Sequence, residues 1–431
     1  MSKWQFTWIV LLAGSLLLSA CTARETTTAS APVQEADNQE NGQVLTVVNP
    51  ETAKTESSSE ETAKKYQIQT RLTDFKLFSD TIGIAWGITR GELRLYTTKD
   101  KGRTWTNISP AATVQFPSAI RYGKEMYFLD QSHGWIMRKA QGSTEGILLY
   151  TKDGGLHWSI SSLPSNADPS SIYFATPDRG WILSKGFSSS GSQSKTLYNS
   201  YDGGMTWSSD TKEASSTGAD ADGTLPGLPQ YGYFEDMAYT TEQKGFTLVQ
   251  QLTKPDLYTT SDGGEHWSAN SSFFSKLDLE NCSQYTAEEI NVFPGNGQSA
   301  YIPVRCIKGD PSNSSKYSGY FTADGGKTFQ FVDFALQWQS GENAALVPFF
   351  LNGQEGWSLQ GNLIYHTDNQ GKIWTALPES PKLTATLQDY PEVVKLQFIT
   401  PEYGWILVQN SGEKTSRLLS TKDGGRSWQM L

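Results

Sequence analysis

Few residues of this 431-residue chain could do chemistry: four histidines, three cysteines and a set of aspartates that return at regular intervals. The aspartates occupy the pattern Thr/Ser-x-Asp-x-Gly-x-x-Trp, as Asp100 with Trp105, Asp153 with Trp158, Asp202 with Trp207, Asp262 with Trp267 and Asp423 with Trp428. Two further copies carry substitutions, Asp324 with Phe329 and Asn369 with Trp374. Carboxylates do acid–base or metal work when several converge. One copy every ~54 residues instead marks a structural repeat with one turn per unit. Turn chemistry explains each fixed position. Gly supplies the positive φ of a tight hairpin, the Asp carboxylate accepts N–H groups of its own turn, and the Trp buries about 2–3 kcal/mol of apolar area.

The other candidates are weaker. His157 and His266 stand at variable positions of these turns, His366 precedes one, and His133 precedes a Gly-Trp pair. None has a His or Cys partner at metal-ligand spacing, so zinc is not expected. In "GADADGT" Asp220 and Asp222 are spaced like the start of a calcium loop, but the third acid and the closing Glu are missing, and a flexible acidic loop is the reading. No cofactor is expected. The aromatics of "YGYFED", Tyr231, Tyr233 and Phe234, form either blade core or a binding rim.

Positioning these residues requires strands. Most turns follow a short apolar run in which Gly precedes an aromatic, as in "HGWIMR", "RGWILS", "KGFTLV", "EGWSLQ" and "YGWILV"; in the fifth unit "SAYIPV" takes that place with Tyr301. Each unit offers four strand-like segments: an inner one, the Gly-aromatic one, one entering the turn and one leaving it. Seven such units without helical periodicity between them predict an all-β, seven-bladed β-propeller of four-stranded antiparallel blades. The high aromatic content suits sheets that bury their faces on one another.

These turns resemble the Asp boxes, or bacterial neuraminidase repeats, of sialidases, xyloglucanases and sortilin-type receptors. An inner strand ending in Phe, then Gly-Trp, then Leu-Tyr-x-Thr-x-Asp-Gly-Gly-x-x-Trp, is most similar to the photosystem II assembly and stability factors, over about 67–431. The resemblance implies peripheral, structural turns and a central binding surface. A sialidase site is not matched. The Arg-Ile-Pro signature is absent, and Arg103, Arg426, Arg94 and Arg417 stand in turns or in strands entering them. For a xyloglucanase-like pair of Asp across a cleft, candidates are too many to choose.

The amino-terminal residues set the expected address. Lys3, an apolar stretch from Phe6 to Leu18, and Leu-Ser-Ala-Cys ending at Cys21 resemble a bacterial lipoprotein signal. That resemblance implies cleavage before Cys21 and a lipid on its sulfur, placing the protein at the extracytoplasmic face of a bacterial membrane. Residues 1–20 are then the signal peptide, 21–65 a disordered linker reaching roughly 40 Å, and 66–431 the propeller. Within the linker, "QVLTVV" from 43 is a candidate strand that could add to the last blade and latch the ring. The two remaining cysteines, Cys282 and Cys306, are expected to form a disulfide, as suits an even count in an exported protein.

A net charge of −10 without a basic stripe disfavours nucleic acid. Large segments at 139–146, 185–195, 208–232, 250–256 and 308–316 are expected as loops on the face opposite the repeated turns, where function should lie. The functional expectation is a monomeric, non-enzymatic propeller that binds an envelope protein and assists assembly or stability of a complex. The alternative is a polysaccharide-binding or glycoside-hydrolase-like propeller acting on a cell-surface glycan.

Overall fold

The computed structural model describes residues 43–48 and 65–431, except 111–115, 117–118, 140–145, 165–167, 190–191, 210–224, 230, 275–281, 296 and 310–313. Seven antiparallel sheets follow one another along the chain, at 74–107, 126–162, 169–209, 233–269, 284–333, 349–376 and 392–430. In six of them four strands pair strictly in sequence order. In the fifth the inner strand is split into Gln284–Thr286 and Asn291–Val292, both paired to Ala300–Lys308. The result is the seven-bladed β-propeller that the repeats predict.

Alternation sets the faces. In the inner strand Asp74–Leu77, Phe75 and Leu77 are buried between blades while Asp74 and Lys76 stay partly exposed, facing the ring's centre. The Gly-aromatic strands are buried on both faces, as in Gly404–Asn410, whose first five residues are all buried.

The two repeated signals meet across blade boundaries. Indole N–H groups of Trp135, Trp181 and Trp357 donate to the carbonyls of Gly203, Gly263 and Gly424, each in the turn of the next blade (2.8, 2.9 and 3.0 Å). The same rings stack on the aromatic ending the next blade's inner strand: Trp135 on Phe174 and Trp181 on Tyr239 at 3.6 Å, Trp357 on Phe398 at 3.9 Å. Parallel stacking adds about 0.5–1.5 kcal/mol to area burial. The second Gly of the turn faces the preceding blade. A Cβ built on Gly326 would lie 2.0 Å from Cε1 of Phe246.

Ring closure departs from the expectation. Residues 43–48, assigned to the linker, form strand β1 (Gln43–Val48), which pairs antiparallel with β2 (Lys65–Thr70). Both strands include residues ahead of Tyr66, where the propeller is expected to begin. Nor does β1 extend the last blade's ladder. Its backbone bonds the first blade, through Trp105 N–H to the Thr46 carbonyl (2.9 Å) and Val48 N–H to the Trp105 carbonyl (2.8 Å). Its side chain Gln43 clamps the last blade, accepting from Leu418 N–H (2.9 Å) and donating to the Leu431 carbonyl (2.6 Å). Leu45 and Val47 are buried beside Trp105 and Trp405, whose rings lie 5.9 Å apart. Near the axis Gln397 mimics a strand, accepting from Leu77 N–H (2.9 Å) and donating to the Leu77 carbonyl (3.2 Å).

Three other elements differ from the sequence reading. A helix, α1 (Pro381–Asp389), joins blades six and seven; Ser380 caps it, Pro381 opens it, and Leu383 and Leu387 enter the core. The segments at 185–195 and 308–316 are hairpin extensions of long strands, Gly180–Ser189 with Ser192–Ser200 and Ala300–Lys308 with Ser314–Thr322. Their Ser and Gly content hid strands that earn stability from ladder bonds.

Candidate functional site

The repeated aspartates are consumed by their turns. Asp100 Oδ1 accepts from Thr104 N–H (2.8 Å) and the Thr98 hydroxyl (2.9 Å), and Oδ2 accepts from the Thr104 hydroxyl (2.7 Å). The Thr98 oxygen in turn accepts from Gly102 N–H at 3.0 Å. Asp153, Asp202, Asp262, Asp324 and Asp423 repeat this net, with His157 and His266 donating where others use Thr or Ser. Desolvation opposes ionisation of these six carboxyls, yet the hydrogen bonds outweigh it and hold each below its usual pKa. In the degenerate copy Asn369 Oδ1 still accepts from Ile373 N–H at 2.9 Å.

The aromatic closing each turn plays a less uniform part. Trp105, Trp267 and Trp428 donate to a glycine carbonyl of their own turn, at 3.0, 3.0 and 3.1 Å. Trp158 reaches the Ile108 carbonyl instead (2.8 Å), Phe329 contributes burial alone, and the indole N–H groups of Trp207 and Trp374 have no protein partner. Among the described residues Asp262, Glu265 and His266 come within reach of a common cation, but both Asp262 oxygens already serve the turn.

Cys282 and Cys306 form a disulfide with Cα atoms 5.5 Å apart, tying the entry of blade five to its second strand. Cys21, Asp220 and Asp222 lie outside the described residues.

The three aromatics of "YGYFED" divide between the two readings. Phe234 is core at 1% exposure, whereas Tyr231 and Tyr233 are 64% and 43% exposed, and Leu252 in the neighbouring hairpin turn is 92% exposed. Backbone pairing holds them together: Tyr233 faces Gln250 across the sheet, and the Gln251 side chain donates to the Tyr231 carbonyl (3.4 Å). The support beneath is polar. Lys195, fully buried, donates to the carbonyls of Gln193 (2.9 Å) and Pro229 (3.1 Å), and burial lowers its pKa to about 8. Lys195 thereby fixes the segment leading into Tyr231.

A second grouping, not anticipated from sequence, surrounds the axis on the inner strands. Tyrosine rings touch in series: Tyr122 to Tyr127 at the start of blade two at 5.5 Å, Tyr127 to Tyr173 of blade three at 5.0 Å, and Tyr173 to Tyr239 of blade four at 6.1 Å. Lys76 and Lys395 both lie over the Tyr122 ring, at 4.9 and 5.6 Å. Lys395 pairs with Asp74 (3.1 Å) and donates to the Phe75 carbonyl (2.8 Å). Lys124 pairs with Asp236 (3.0 Å) and contacts the Glu235 carbonyl, while the other Asp236 oxygen accepts from Ile290 N–H (2.8 Å). Burial, then the charge of Lys395, lowers the Lys76 pKa to about 8; burial raises that of Glu289 and pushes Tyr173 up to about 12. The sequence signal is the polar half of the alternation in inner strands such as "DFKL" and "VKLQF".

No family model and no curated protein matches this chain. Among solved structures it is similar to YCF48 bound to a D1 peptide, with 14% identity, 82% of this chain and 93% of that chain covered, and a TM-score of 0.48. It is similar also to YCF48 from Cyanidioschyzon merolae, at 15% identity over 81% and 95% of the two chains, TM-score 0.45. A GH74 xyloglucanase from Xanthomonas campestris matches at 13% identity over 83% of this chain and 60% of that one, TM-score 0.45. These likenesses assign no role to individual residues.

Proposed function

We propose that the chain is a lipid-anchored, non-enzymatic binding propeller of the cell envelope that holds a protein partner on the face opposite its Asp boxes. The observation that carries this reading is the blade-four patch of Tyr231, Tyr233 and Leu252. Single exposed apolar residues are ordinary, but two aromatics and a fully presented leucine on adjoining segments form a contiguous surface of the kind used for docking. Lys195 keeps the patch ordered before any partner arrives, which lowers the entropy lost on binding. The similar propeller solved with a D1 peptide is an instance of a peptide ligand on this architecture. An anchor on Cys21 fits the same reading, because the linker would let the patch search a membrane-proximal volume.

The test is site-specific photo-crosslinking from position 252 in intact cells. Capture of one envelope protein, lost with Tyr231→Ser, supports the proposal. Absence of any crosslinked protein, together with cleavage of cell-wall polysaccharide by the purified chain, overturns it.

A further inference from the structure

In most blades the turn between the first and second strands is capped by one side-chain oxygen. Ser79, Asp130, Thr176, Thr241 and Thr400 each accept an amide N–H from two or three residues further on. In blade six, between Phe349–Phe350 and Gly356–Gln360, the cap is Asn352, whose Oδ1 accepts from Gln354 N–H (2.8 Å) and Glu355 N–H (2.9 Å). A hydroxyl or a carboxylate in this place resists attack by the chain. A carboxamide is an electrophile with a leaving group.

What surrounds Asn352 favours that attack. Two donors on one oxygen draw electron density from Cγ, and the same bonds fold the side chain forward over the next peptide, whose nitrogen belongs to Gly353. That N–H makes no hydrogen bond among the described residues. Nor does a side chain shield it, for even a Cβ built on Gly353 would meet nothing within 4 Å. Asn352 is exposed, so water reaches it. Asn107 is the contrast. Its Oδ1 accepts from Ser109 N–H (2.9 Å), but the following nitrogen belongs to buried, branched Ile108 and already donates to the Leu95 carbonyl (2.9 Å).

We propose that Asn352 is a self-modification site that deamidates in the folded protein. The Gly353 nitrogen bonds Cγ, the bond from Cγ to the amide nitrogen breaks, and that nitrogen leaves as ammonia with the Gly353 proton, closing a five-membered succinimide. One water then opens the ring. Attack at Cγ restores the chain with aspartate at 352, the residue type that Asp130 supplies in blade two. Attack at the main-chain carbon gives isoaspartate, which adds one carbon to the backbone path. The turn has little slack for it, being closed by Leu351 N–H to the Glu355 carbonyl and braced by Gln370 N–H to the Gln354 carbonyl (both 2.9 Å). The site is remote in sequence from the blade-four patch and needs no partner.

The full chain is incubated in mildly alkaline buffer at physiological temperature and its peptides are mapped over time. Mapping separates 352 from the other Asn-Gly pairs, at 41–42 and 296–297. Aspartate and isoaspartate should accumulate at 352 with first-order kinetics, at least about tenfold faster than at Asn107. Gly353→Ala, which the open space and the absence of a positive φ allow, should slow conversion at 352 and leave the other two pairs unchanged. Asn352→Asp should keep the Tm of the unmodified chain, while the isoaspartate fraction melts lower. A rate at 352 no higher than at Asn107, or one that Gly353→Ala leaves unchanged, overturns the proposal.

Discussion

The strand that crosses the first and last blades offers the sharpest test of how the ring is held. In β1, Gln43, Leu45 and Val47 are buried, while Val44 is exposed and Thr46 and Val48 are partly so. Leu45→Ala should cost about 2–5 kcal/mol, the range for truncating a buried leucine. Gln43→Leu keeps the volume but strands the Leu418 N–H, whose acceptor it is. An unsatisfied buried donor costs about 1–3 kcal/mol, so the expected loss is about 2 kcal/mol, or roughly thirtyfold in the folding equilibrium. Val44→Ala, on the exposed side, should cost less than about 0.5 kcal/mol. Urea midpoints of the full chain, followed by tryptophan fluorescence, give the comparison directly, since Trp105 and Trp405 lie at this seam. Equal midpoints for Leu45→Ala and Val44→Ala would mean that β1 is no part of the folding unit, and the account of ring closure would fail.

Other expectations follow from single contacts. Gly326→Ala places a methyl against Phe246 at positive φ and should destabilise by about 3 kcal/mol or more, whereas Gly361→Ala, with open space around it, should cost only about 1–2 kcal/mol; similar Tm losses for the two would refute the packing argument. Gln370 adopts φ 64° where most copies of the turn carry Gly, so Gln370→Gly should raise stability by about 0.5–1 kcal/mol in thermal melts. Reducing the disulfide frees a loop of 24 residues and should lower stability by about 3 kcal/mol, measured as denaturant midpoints with and without reductant.

Stability should also respond to alkaline pH with a definite sign. The folded pKa of Lys195 is about 8 against a model value of 10.5, so between these values the unfolded chain binds more protons. Stability then rises with pH across that window, by about 3 kcal/mol for this group. Burial raises the pKa of Tyr122, Tyr127 and Tyr301 above 10, so ionisation in the unfolded chain removes stability above that pH. A midpoint that falls steadily from pH 8 to 10, or a Lys195→Met variant with an unchanged pH slope, would contradict this.

The repeats made the architecture legible because their signals are local: a turn needs its Gly, Asp and hydroxyl within a few residues, and the sequence shows them side by side. What stayed hidden depends on partners far along the chain. Nothing near Gln43 announces Leu418, and nothing near Trp135 announces Gly203, since each bond spans a blade boundary or the whole ring. Tyr231, Tyr233 and Phe234 illustrate the same limit, for three neighbouring aromatics divide between surface and core according to strand register. The axial grouping stays hidden in the sequence because Lys76, Tyr173, Glu289 and Lys395 come from four different blades and look unremarkable in any one.

The contact of Gln43 with Leu431 joins residues 388 positions apart. A chain made or threaded across a membrane from its amino end presents β1 first and the blade it clamps last. Each blade can zip up on its predecessor as it emerges, yet the circle stays unsealed until Leu431 arrives. Assembly is therefore sequential but commitment is single and terminal. A copy interrupted before the last blade is made keeps an open seam at Trp105, whose neighbour Trp405 is then missing, a visible mark of incompleteness for protein quality control.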